Sequence, residues 1–307
     1  MTLGALLQEA GLSVQPTGPV DADIERVVVD SREVGERTLF VAMRGIFEDG
    51  HQYIEQALSR GAQAVVAERP APTTLADDVA WVEVEDSGPV LGQIADALHA
   101  HPSKDLDVLA VTGTNGKTTV SWLVDSILQA RGRSTGIVGT IETRFGETRV
   151  HTGYTTPPAH LLHHLLDRMR SAGVTHVVLE ASSHGLKMHR MSGLRVSVAG
   201  FTNLSRDHMD FHPDMEDYRA TKARLFEEFA RAAAFNIDDE VGANLAKAFT
   251  GETLTVSTDG AEADYRLENL VCDLDGCRAT LHAGGQAHDF SVPLVGRHNA
   301  ENALVAL

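Results

Sequence analysis

Val111-Thr-Gly-Thr-Asn-Gly-Lys-Thr-Thr119 separates an apolar run, residues 106–110, from an amphipathic run that begins at Lys117. This pattern predicts a strand, a glycine-rich loop and a helix. Glycines let such a loop curl so that its N–H groups face a phosphate, and the dipole of the helix adds to the attraction. Lys117 can reach the outer phosphates of a nucleotide, and Thr118 can bind Mg²⁺. Val111 stands where the usual pattern has its first glycine, so the sequence predicts a variant phosphate-binding loop.

Strands and helices alternate along the chain after residue 105. Each predicted strand is apolar and is followed by a helical pattern, which indicates a parallel sheet covered on both faces. Ligands of such sheets bind in the crevice at the carboxyl ends of the strands. The predicted strands are residues 106–111, 134–138, 174–180, 196–201 and 232–237, and the predicted helices begin at residue 117 and cover residues 158–172 and 215–229.

The pattern changes over residues 253–293, where short alternating strands are joined by turns at Asp275-Gly276 and Gly284-Gly285. These turns predict a small antiparallel addition to the mostly parallel sheet. The chain stops at Leu307, inside the apolar pattern of a helix that begins near His298. We therefore expect a cut at this point and not a natural terminus.

A smaller α/β domain is predicted ahead of a seam at residues 100–105. Residues 1–14 carry apolar side chains at helical spacing with Gly11 behind them, which predicts a short amphipathic helix and its C-cap. A second predicted helix carries Ile54, Ala57 and Leu58. The predicted strands are residues 24–30, 38–43, 64–67 and 80–84.

The predicted fold class is therefore α/β with two domains, residues 1–104 and residues 105–307. A net charge of -17 argues against a nucleic-acid partner, because proteins that bind long polyanions carry an excess of Lys and Arg. No apolar run approaches the roughly 20 residues that a membrane span needs, and no basic leader opens the chain. We expect no membrane contact and a cytoplasmic location, and we treat the chain as a monomer.

Cys272 and Cys277 are the two cysteines of the chain, and Asp-Leu-Asp-Gly separates them in a predicted hairpin. A zinc site would need two more ligands at fixed spacing, and the sequence shows none. We therefore predict free, reduced thiols.

Polar residues follow two of the predicted strands. Glu180-Ala-Ser-Ser-His184 ends one of them, where Glu180 can face the phosphate-binding loop and bind the metal of a nucleotide; the alternative is a solvated charge. Past the next strand, Asp207, His208 and Asp210 lie close together. The alternative there is a polar loop with a capping Asp, and we prefer that interpretation for His212.

Two further sets of residues predict ordinary surface. His160, His163 and His164 share one predicted helix without partnering carboxylates, which favours an exposed face. Lys222 lies in Tyr218-Arg-Ala-Thr-Lys-Ala-Arg-Leu-Phe226, and its spacing alone predicts a surface lysine.

Taken in order along the chain, four segments resemble the Mur ligase family. These are Gly113-Thr-Asn-Gly-Lys-Thr-Thr119, Glu180-Ala-Ser-Ser-His184, Thr202-Asn-Leu-Ser-Arg-Asp-His208 and Gly296-Arg-His-Asn-Ala-Glu-Asn302. The opening domain is similar to the UDP-binding domain of the ligases that act on UDP-N-acetylmuramoyl-L-alanyl-D-glutamate, through Asp30-Ser-Arg32, Leu39-Phe-Val-Ala42 and Asp49-Gly50 before Tyr53-Ile54. Folylpolyglutamate synthases share the sequence of the phosphate-binding loop but lack this first domain.

The resemblance implies a UDP-muramoyl substrate-binding domain over residues 1–104, a central ATPase domain over residues 105–307, and a C-terminal amino-acid-binding domain that this sequence lacks. It also implies an ATP- and Mg²⁺-dependent amide ligase of peptidoglycan synthesis, in which a glutamyl carboxylate is phosphorylated and a diamino acid attacks the acyl phosphate. The missing domain distinguishes meso-diaminopimelate, lysine and ornithine, so the amino acid stays open.

The resemblance assigns roles to individual residues. ATP binding falls to Gly113, Thr114, Asn115, Gly116, Lys117, Thr118, Thr119 and, at the adenine, Asn299. The metal positions match Thr118, Glu180, His208 and Lys222, with Lys222 carbamylated, and the catalytic residues match Lys117, Lys222 and His208. The UDP-muramoyl-dipeptide is assigned to Ser31, Thr155, Thr156, Ser182 and Arg190. Met188 departs from the family, because some members carry there a Gln that touches the substrate.

Two alternatives remain open at this point. One is a non-catalytic UDP-sugar-binding or regulatory protein that kept two domains and lost the third. The other is a P-loop kinase or transport ATPase, which would not explain the domain that carries Asp30-Ser-Arg32.

Overall fold

The computed structural model of the chain describes residues 1–45 and 48–307 and divides into two compact units. The first unit comprises Met1–Pro102, Pro158–Asp167 and Met188–Leu194. The second comprises Ser103–Pro157, Arg168–Lys187 and Arg195–Leu307. No sequence pattern marks the two later segments of the first unit.

The first unit is built on a four-stranded parallel sheet in the order β1-β2-β3-β4. Apolar side chains form a cluster on each face of this sheet, one around Leu6 and Ile94 and the other around Phe40 and Trp81. Burying a large apolar side chain contributes roughly 1.5–3 kcal/mol, so these clusters hold the unit together. Its elements are α1 (Leu3–Glu9), β1 (Arg26–Val28), β2 (Thr38–Val41), α2 (Ile54–Ser59), β3 (Ala64–Ala67), β4 (Ala80–Glu83) and α3 (Ser87–Leu98).

The second unit is built on an eleven-stranded sheet in the order β15-β14-β13-β12-β11-β10-β5-β9-β6-β7-β8. Its strands are β5 (Asp107–Thr112), β6 (Thr135–Val138), β7 (Thr143–Phe145), β8 (Thr148–Val150), β9 (His176–Glu180), β10 (Val196–Phe201), β11 (Ala230–Asn236), β12 (Glu252–Ser257), β13 (Tyr265–Asp273), β14 (Gly276–Ala283) and β15 (Gln286–Val292). The remaining helices of the chain are α4 (Lys117–Ala130), α5 (Ala159–Ser171), α6 (Ser183–Lys187), α7 (Met215–Arg224), α8 (Glu240–Ala248) and α9 (Arg297–Ala306).

The predicted α/β class is confirmed. In sheet order, the central strands β13-β12-β11-β10-β5-β9-β6 all pair in parallel. The predicted antiparallel addition is also present, but it begins at β13 and not at residue 253. Strand β12 still pairs in parallel with β11 and β13, and the antiparallel pairs at this edge are β13 with β14 and β14 with β15. The antiparallel strands β7 and β8 at the other edge were not predicted, since each is only three residues long.

The prediction of free thiols was wrong. Cys272 on β13 and Cys277 on β14 lie directly opposite each other, with their Cα atoms 4.1 Å apart, and they form a disulfide. The tight turn between them sets this register, and directly opposed residues of an antiparallel pair bring their side chains close together.

The prediction of an exposed histidine face was wrong for His163. His163 is fully buried, whereas His164 one residue later on α5 is exposed. The Nδ1 atom of the buried ring lies 3.4 Å from a carboxylate oxygen of Asp96. Because Asp96 belongs to α3, the α5 sequence alone does not indicate this contact. His160 is half-buried, and burial lowers the pKa of its ring to about 4.

Across residues 1–45 and 48–307, none of the helices combines the length and the apolar character that crossing a membrane requires.

Candidate active site

The loop between β5 and α4 turns at two glycines. Gly113 has φ +148° and Gly116 has φ +89°, values that L side chains rarely adopt. A Cβ on Gly113 would lie 1.9 Å from Thr202 Oγ1, and a Cβ on Gly116 would lie 2.2 Å from Asn302 Oδ1. Both positions therefore require glycine for conformation and for space.

The loop is braced by residues that follow β10. The backbone N–H of Thr114 donates to the carbonyl oxygen of Asn203 at 2.8 Å, and the N–H of Asn115 donates to Asn203 Oδ1 at 3.1 Å. Thr202 Oγ1 donates to the carbonyl oxygen of Asn115 at 2.6 Å. The start of the Thr202–His208 motif thus fixes the loop backbone, a role that the sequence did not indicate.

Lys117 lies over the same loop from the first turn of α4. Its Nζ donates to the carbonyl oxygens of Gly113 and Thr114, each at 2.9 Å. Burial lowers the pKa of Lys117, while the charges of Glu180 and Asp207 oppose that shift. The ammonium group is therefore held where phosphate-binding loops place their lysine.

Glu180 ends β9, the strand next to β5, and is buried with 1% of its surface exposed. Thr118 Oγ1 donates to Glu180 Oε2 at 2.9 Å. Thr140 donates twice, from its backbone N–H to Oε1 at 3.0 Å and from its hydroxyl to Oε2 at 2.9 Å. The structure thus brings the predicted residues Thr118 and Glu180 together and adds Thr140, which no sequence motif marked.

Lys222 is buried, with 1% of its surface exposed, so the surface-lysine prediction from spacing was wrong. Its Nζ donates to the carbonyl oxygen of Gly113 at 2.7 Å and lies 4.6 Å from the ring centre of Tyr218. Burial, together with the charge of Lys117, lowers the pKa of Lys222 to about 6. Helix α7 has few apolar residues, which is why its sequence did not reveal a buried face.

Tyr218 and His208 lie near this lysine. Tyr218 is fully buried, and its hydroxyl lies 3.2 Å from Thr114 Oγ1. His208 has φ +55°, keeps 40% of its side chain exposed, and packs its ring edge-on at 5.0 Å from His184 and 6.1 Å from Tyr218. His208 Nε2 is 3.6 Å from Asp207 Oδ2. None of the hydrogen bonds, ion pairs or ring contacts of these described residues joins His208 to Thr118 or Glu180.

The preferred interpretation of His212 was a polar loop with a capping Asp. Asp214 does cap α7, but His212 itself is an internal residue. Its ring is buried, and Nδ1 lies 2.6 Å from Asp217 Oδ2. The same carboxylate oxygen accepts from Lys187 Nζ at 2.6 Å.

The donors at Glu180 fit the ion that the fold implies. Among the described residues, no three His, Cys, Asp or Glu side chains are grouped closely enough to hold a metal. Mg²⁺ seldom uses such a cage, because it is usually held by one or two carboxylates, water and substrate phosphates. The Thr118 hydroxyl and the Glu180 carboxylate supply the hard oxygen donors that this mode requires.

Two of the residues expected at the substrate, Thr156 and Ser182, lie at the main chain of Glu180, and a third, Thr155, lies beside Thr140. Thr156 Oγ1 donates to the carbonyl oxygen of Glu180 at 2.8 Å and accepts from the N–H of Ser182 at 3.0 Å. Thr155 Oγ1 lies 3.0 Å from Thr140 Oγ1. The four hydroxyl groups thus form two pairs, Thr140 with Thr155 and Thr156 with Ser182.

The other expected residues lie elsewhere. Ser31 is in the first unit, where its hydroxyl donates to Gln56 Oε1 at 2.5 Å. Arg190 is also in the first unit, and its Nη2 is 3.5 Å from Met188 Sδ. Asn299 opens α9 in the second unit and donates to the carbonyl oxygen of Val295 at 2.9 Å.

Two family models match the chain. The Mur ligase middle domain covers residues 111–307, which is more than half of the chain. The chain belongs to the Mur ligase family. The model described as Mur ligase family, catalytic domain, covers residues 23–99, so the resemblance found in the sequence motifs is confirmed in both parts of this Mur ligase chain.

Two similar relatives of this Mur ligase chain are both named UDP-N-acetylmuramoyl-L-alanyl-D-glutamate–2,6-diaminopimelate ligase. The ligase of Halalkalibacterium halodurans is 37% identical over 289 residues, which are 92% of this chain and 58% of the relative. That of Aquifex aeolicus is 38% identical over 285 residues, with the same shares of 92% and 58%. A solved structure of a ligase of this name matches with a TM-score of 0.84 and 27% identity, over 100% of this chain and 63% of that one. The chain thus spans 58% of the length of the first two relatives.

Proposed function

We propose that this chain is the substrate- and ATP-binding part of an amide ligase that adds a diamino acid to UDP-N-acetylmuramoyl-L-alanyl-D-glutamate in peptidoglycan synthesis. The observation that carries the proposal is the phosphate-binding loop, in which Lys117 lies over the loop and Thr118 contacts the buried Glu180. The support for the substrate is that relatives named for this reaction match 92% of the chain at 37–38% identity.

The proposed reaction has two steps. The free glutamyl carboxylate of the substrate attacks the γ-phosphorus of ATP, forming an acyl phosphate and releasing ADP. The amine of the diamino acid then attacks the acyl carbon, forming the amide and releasing phosphate and a proton. The positive charge of Lys117 stabilises the negative charge on the transferring phosphoryl group.

Mg²⁺ fits this site as an ion held by Thr118 and Glu180 together with nucleotide phosphates, with His208 and a carbamylated Lys222 as the proposed further ligands. When bound, Mg²⁺ neutralises charge on the phosphate oxygens. The chain's own contribution is to hold the Glu180 carboxylate in place through Thr118 and Thr140.

Carbamylation of Lys222 is supported by the state of its amine. Only a neutral amine can attack CO₂, and burial lowers the pKa of Lys222 to about 6, so the neutral form predominates at pH 7. The nitrogen lone pair forms the N–C bond while one C=O π bond of CO₂ moves onto oxygen. The nitrogen of the adduct then releases a proton, and an anionic carbamate results. That anion would lie beside the positive Lys117, which contributes to lowering the pKa of Lys222.

The remaining proposed site residues are assigned to the UDP-muramoyl-dipeptide or to the adenine of ATP. We assign Ser31 and Arg190 of the first unit, and Thr155, Thr156 and Ser182 of the second, to the UDP-muramoyl-dipeptide. Asn299 at the start of α9 is assigned to the adenine. Each of these side chains carries a hydroxyl, amide or guanidinium group suited to phosphate, carboxylate or base edges.

Calorimetry with UDP-N-acetylmuramoyl-L-alanyl-D-glutamate tests the proposal on these 307 residues, which we expect to bind it. A phosphate-release assay with ATP and diamino acid should then show no turnover, because the relatives extend well beyond the matched region and catalysis needs the amine held about 3–3.5 Å from the acyl carbon. A folded chain that does not bind the UDP substrate would contradict the proposal. Turnover by these residues alone would contradict the second expectation.

A further inference from the structure

The segment Met188–Leu194, which carries Arg190, is a tight turn within the first unit. The N–H of Ser192 donates to the carbonyl oxygen of His189 at 3.1 Å, and the N–H of Leu194 donates to that of Met191 at 3.0 Å. We call this segment the Arg190 turn. Its conformation fixes the position from which the Arg190 side chain extends.

The Arg190 turn packs directly on the backbone of α3. A Cβ on Gly92 would lie 2.3 Å from the carbonyl oxygen of Ser192, and a Cβ on Gly88 would lie 3.0 Å from His189 Cδ2. Gly193, with φ +82°, lies equally close, since its Cβ would be 2.8 Å from Asp96 Cβ. The turn thus packs closely against the part of α3 that carries Gly88 and Gly92, where a side chain would not fit.

His163 of α5 supplies a directional contact to the same turn. Its ring is fully buried, and Nε2 lies 2.9 Å from the carbonyl oxygen of Ser192. Nε2 must carry the hydrogen of this bond, because a carbonyl oxygen only accepts. The other ring nitrogen, Nδ1, lies 3.4 Å from Asp96 Oδ1.

Asp96 lies beside the ring at Nδ1 and is itself anchored by a second histidine. Its Oδ2 lies 2.6 Å from Nδ1 of His101, whose Nε2 is 2.8 Å from Glu9 Oε1. Although burial opposes ionisation, bonding to His163 and His101 keeps the pKa of Asp96 below its usual value. The carboxylate that His101 anchors therefore lies beside the ring of His163 and limits its movement.

We propose that His163 and Asp96 are positioning residues that hold the Arg190 turn, and through it the guanidinium of Arg190, at the place where it binds an anionic group of the UDP-muramoyl-dipeptide. This inference rests on the proposed function for its ligand. A guanidinium binds carboxylate or phosphate through paired hydrogen bonds of fixed geometry, so displacing its backbone weakens binding without removing the group.

Hydrogen exchange of the Ser192 and Leu194 amides tests the positioning without any ligand. In His163→Leu both amides should exchange about tenfold faster, because a buried carbonyl loses its donor. His163→Gln, whose amide can still donate to Ser192, should restore part of the protection. His164→Gln is the matched control, because it changes the exposed neighbouring histidine, and it should leave both amides as in the wild type.

Calorimetry with the UDP-muramoyl-dipeptide tests the consequence for Arg190. His163→Leu should raise the Kd about tenfold in the wild-type chain and should add almost nothing in an Arg190→Ala chain, since the two changes act through the same contact. Asp96→Asn, a milder change that keeps the shape, should raise the Kd about threefold and replaces His163→Leu if that variant does not fold.

Unchanged amide exchange in folded His163→Leu or Asp96→Asn would overturn the inference, and so would an equal loss of affinity with and without Arg190. A wild-type chain that does not bind the UDP-muramoyl-dipeptide would contradict the proposed function instead. The exchange of Ser192 and Leu194 would still decide whether His163 holds the turn.

Discussion

Lys222 Nζ donates a hydrogen bond of 2.7 Å to the carbonyl oxygen of Gly113, so a buried amine on α7 is tied to the first glycine of the phosphate-binding loop. The Nζ of Lys117 donates to the same carbonyl oxygen at 2.9 Å. Two lysines therefore share one acceptor, and the one that is more buried has its pKa lowered to about 6. This arrangement makes the charge of Lys222 sensitive to pH and, under the proposed carbamylation, to CO₂.

We expect the carbamate on Lys222 to increase as the pH rises. The pKa of about 6 means that the amine is mostly protonated below that value and mostly neutral above it. Because only the neutral amine reacts, ¹³C-bicarbonate should give a carbamate NMR signal that grows between about pH 5 and about pH 8. Lys222→Gln identifies the signal, and a signal that persists in this variant would refute the assignment.

In the full-length enzyme, a small carboxylate should partly restore the activity of Lys222→Ala.

Lys117→Ala should abolish nucleotide-dependent phosphorylation in the full-length enzyme while leaving the fold intact. Losing one electrostatic contact to the transferring phosphoryl group typically costs on the order of 10²–10³ in rate. Phosphate release and circular dichroism measure the two effects. Lys247→Ala, which changes an exposed lysine of α8, is the matched control and should retain full activity. Activity of Lys117→Ala within a few-fold of wild type would remove the role given to this lysine.

Glu180→Gln should lower the Mg²⁺-dependent part of ATP affinity about tenfold or more, because the substitution keeps the shape but removes the charge that attracts the ion. Titrating ATP calorimetrically with and without Mg²⁺ separates that part from the rest. The exposed Glu147 offers a control, since Glu147→Gln removes the same charge outside the loop region. Equal Mg²⁺ dependence in Glu180→Gln and wild type would exclude Glu180 as a ligand.

Gly116→Ala should destabilise the chain more than Gly132→Ala. Both glycines have positive φ, +89° and +73°, so both variants carry a backbone cost of about 1 kcal/mol. Only at Gly116 does the new Cβ meet an atom, Asn302 Oδ1 at 2.2 Å, whereas nothing lies within 4 Å at Gly132. Urea unfolding of both variants measures the difference. Equal midpoints would mean that the loop has room for a side chain.

The parts of the fold that the sequence predicted depend on local patterns. Strands β3 and β10 have the predicted bounds because each is a short, largely apolar run with clear ends. The loop from Gly113 to Lys117 could likewise be predicted, since its glycines and its lysine lie within five residues of one another. Contacts between residues of different elements could not be predicted, because they depend on how the elements pair. Examples are the contacts of Asn203 with Thr114, of Asp96 with His163 and of Cys272 with Cys277.

In the candidate site, the burial of Lys222 likewise could not be predicted from the local sequence. Its burial follows from the packing of α7 against the loop and Tyr218, and α7 itself has too few apolar residues to signal a buried face. Only the family resemblance pointed to this lysine, while the spacing around it argued for the surface.

The hydrogen bonds around Glu180 act as a solvation shell made of protein. Water molecules around a carboxylate must reorient whenever the charge nearby changes, and that reorientation costs free energy. The hydroxyls of Thr118 and Thr140 and the N–H of Thr140 are instead oriented by the fold before any cation or phosphate arrives. Each hydroxyl that donates to Glu180 also keeps its lone pairs available for a second partner. The cost of ordering these dipoles is therefore met when the chain folds, and little of it is left for each catalytic cycle.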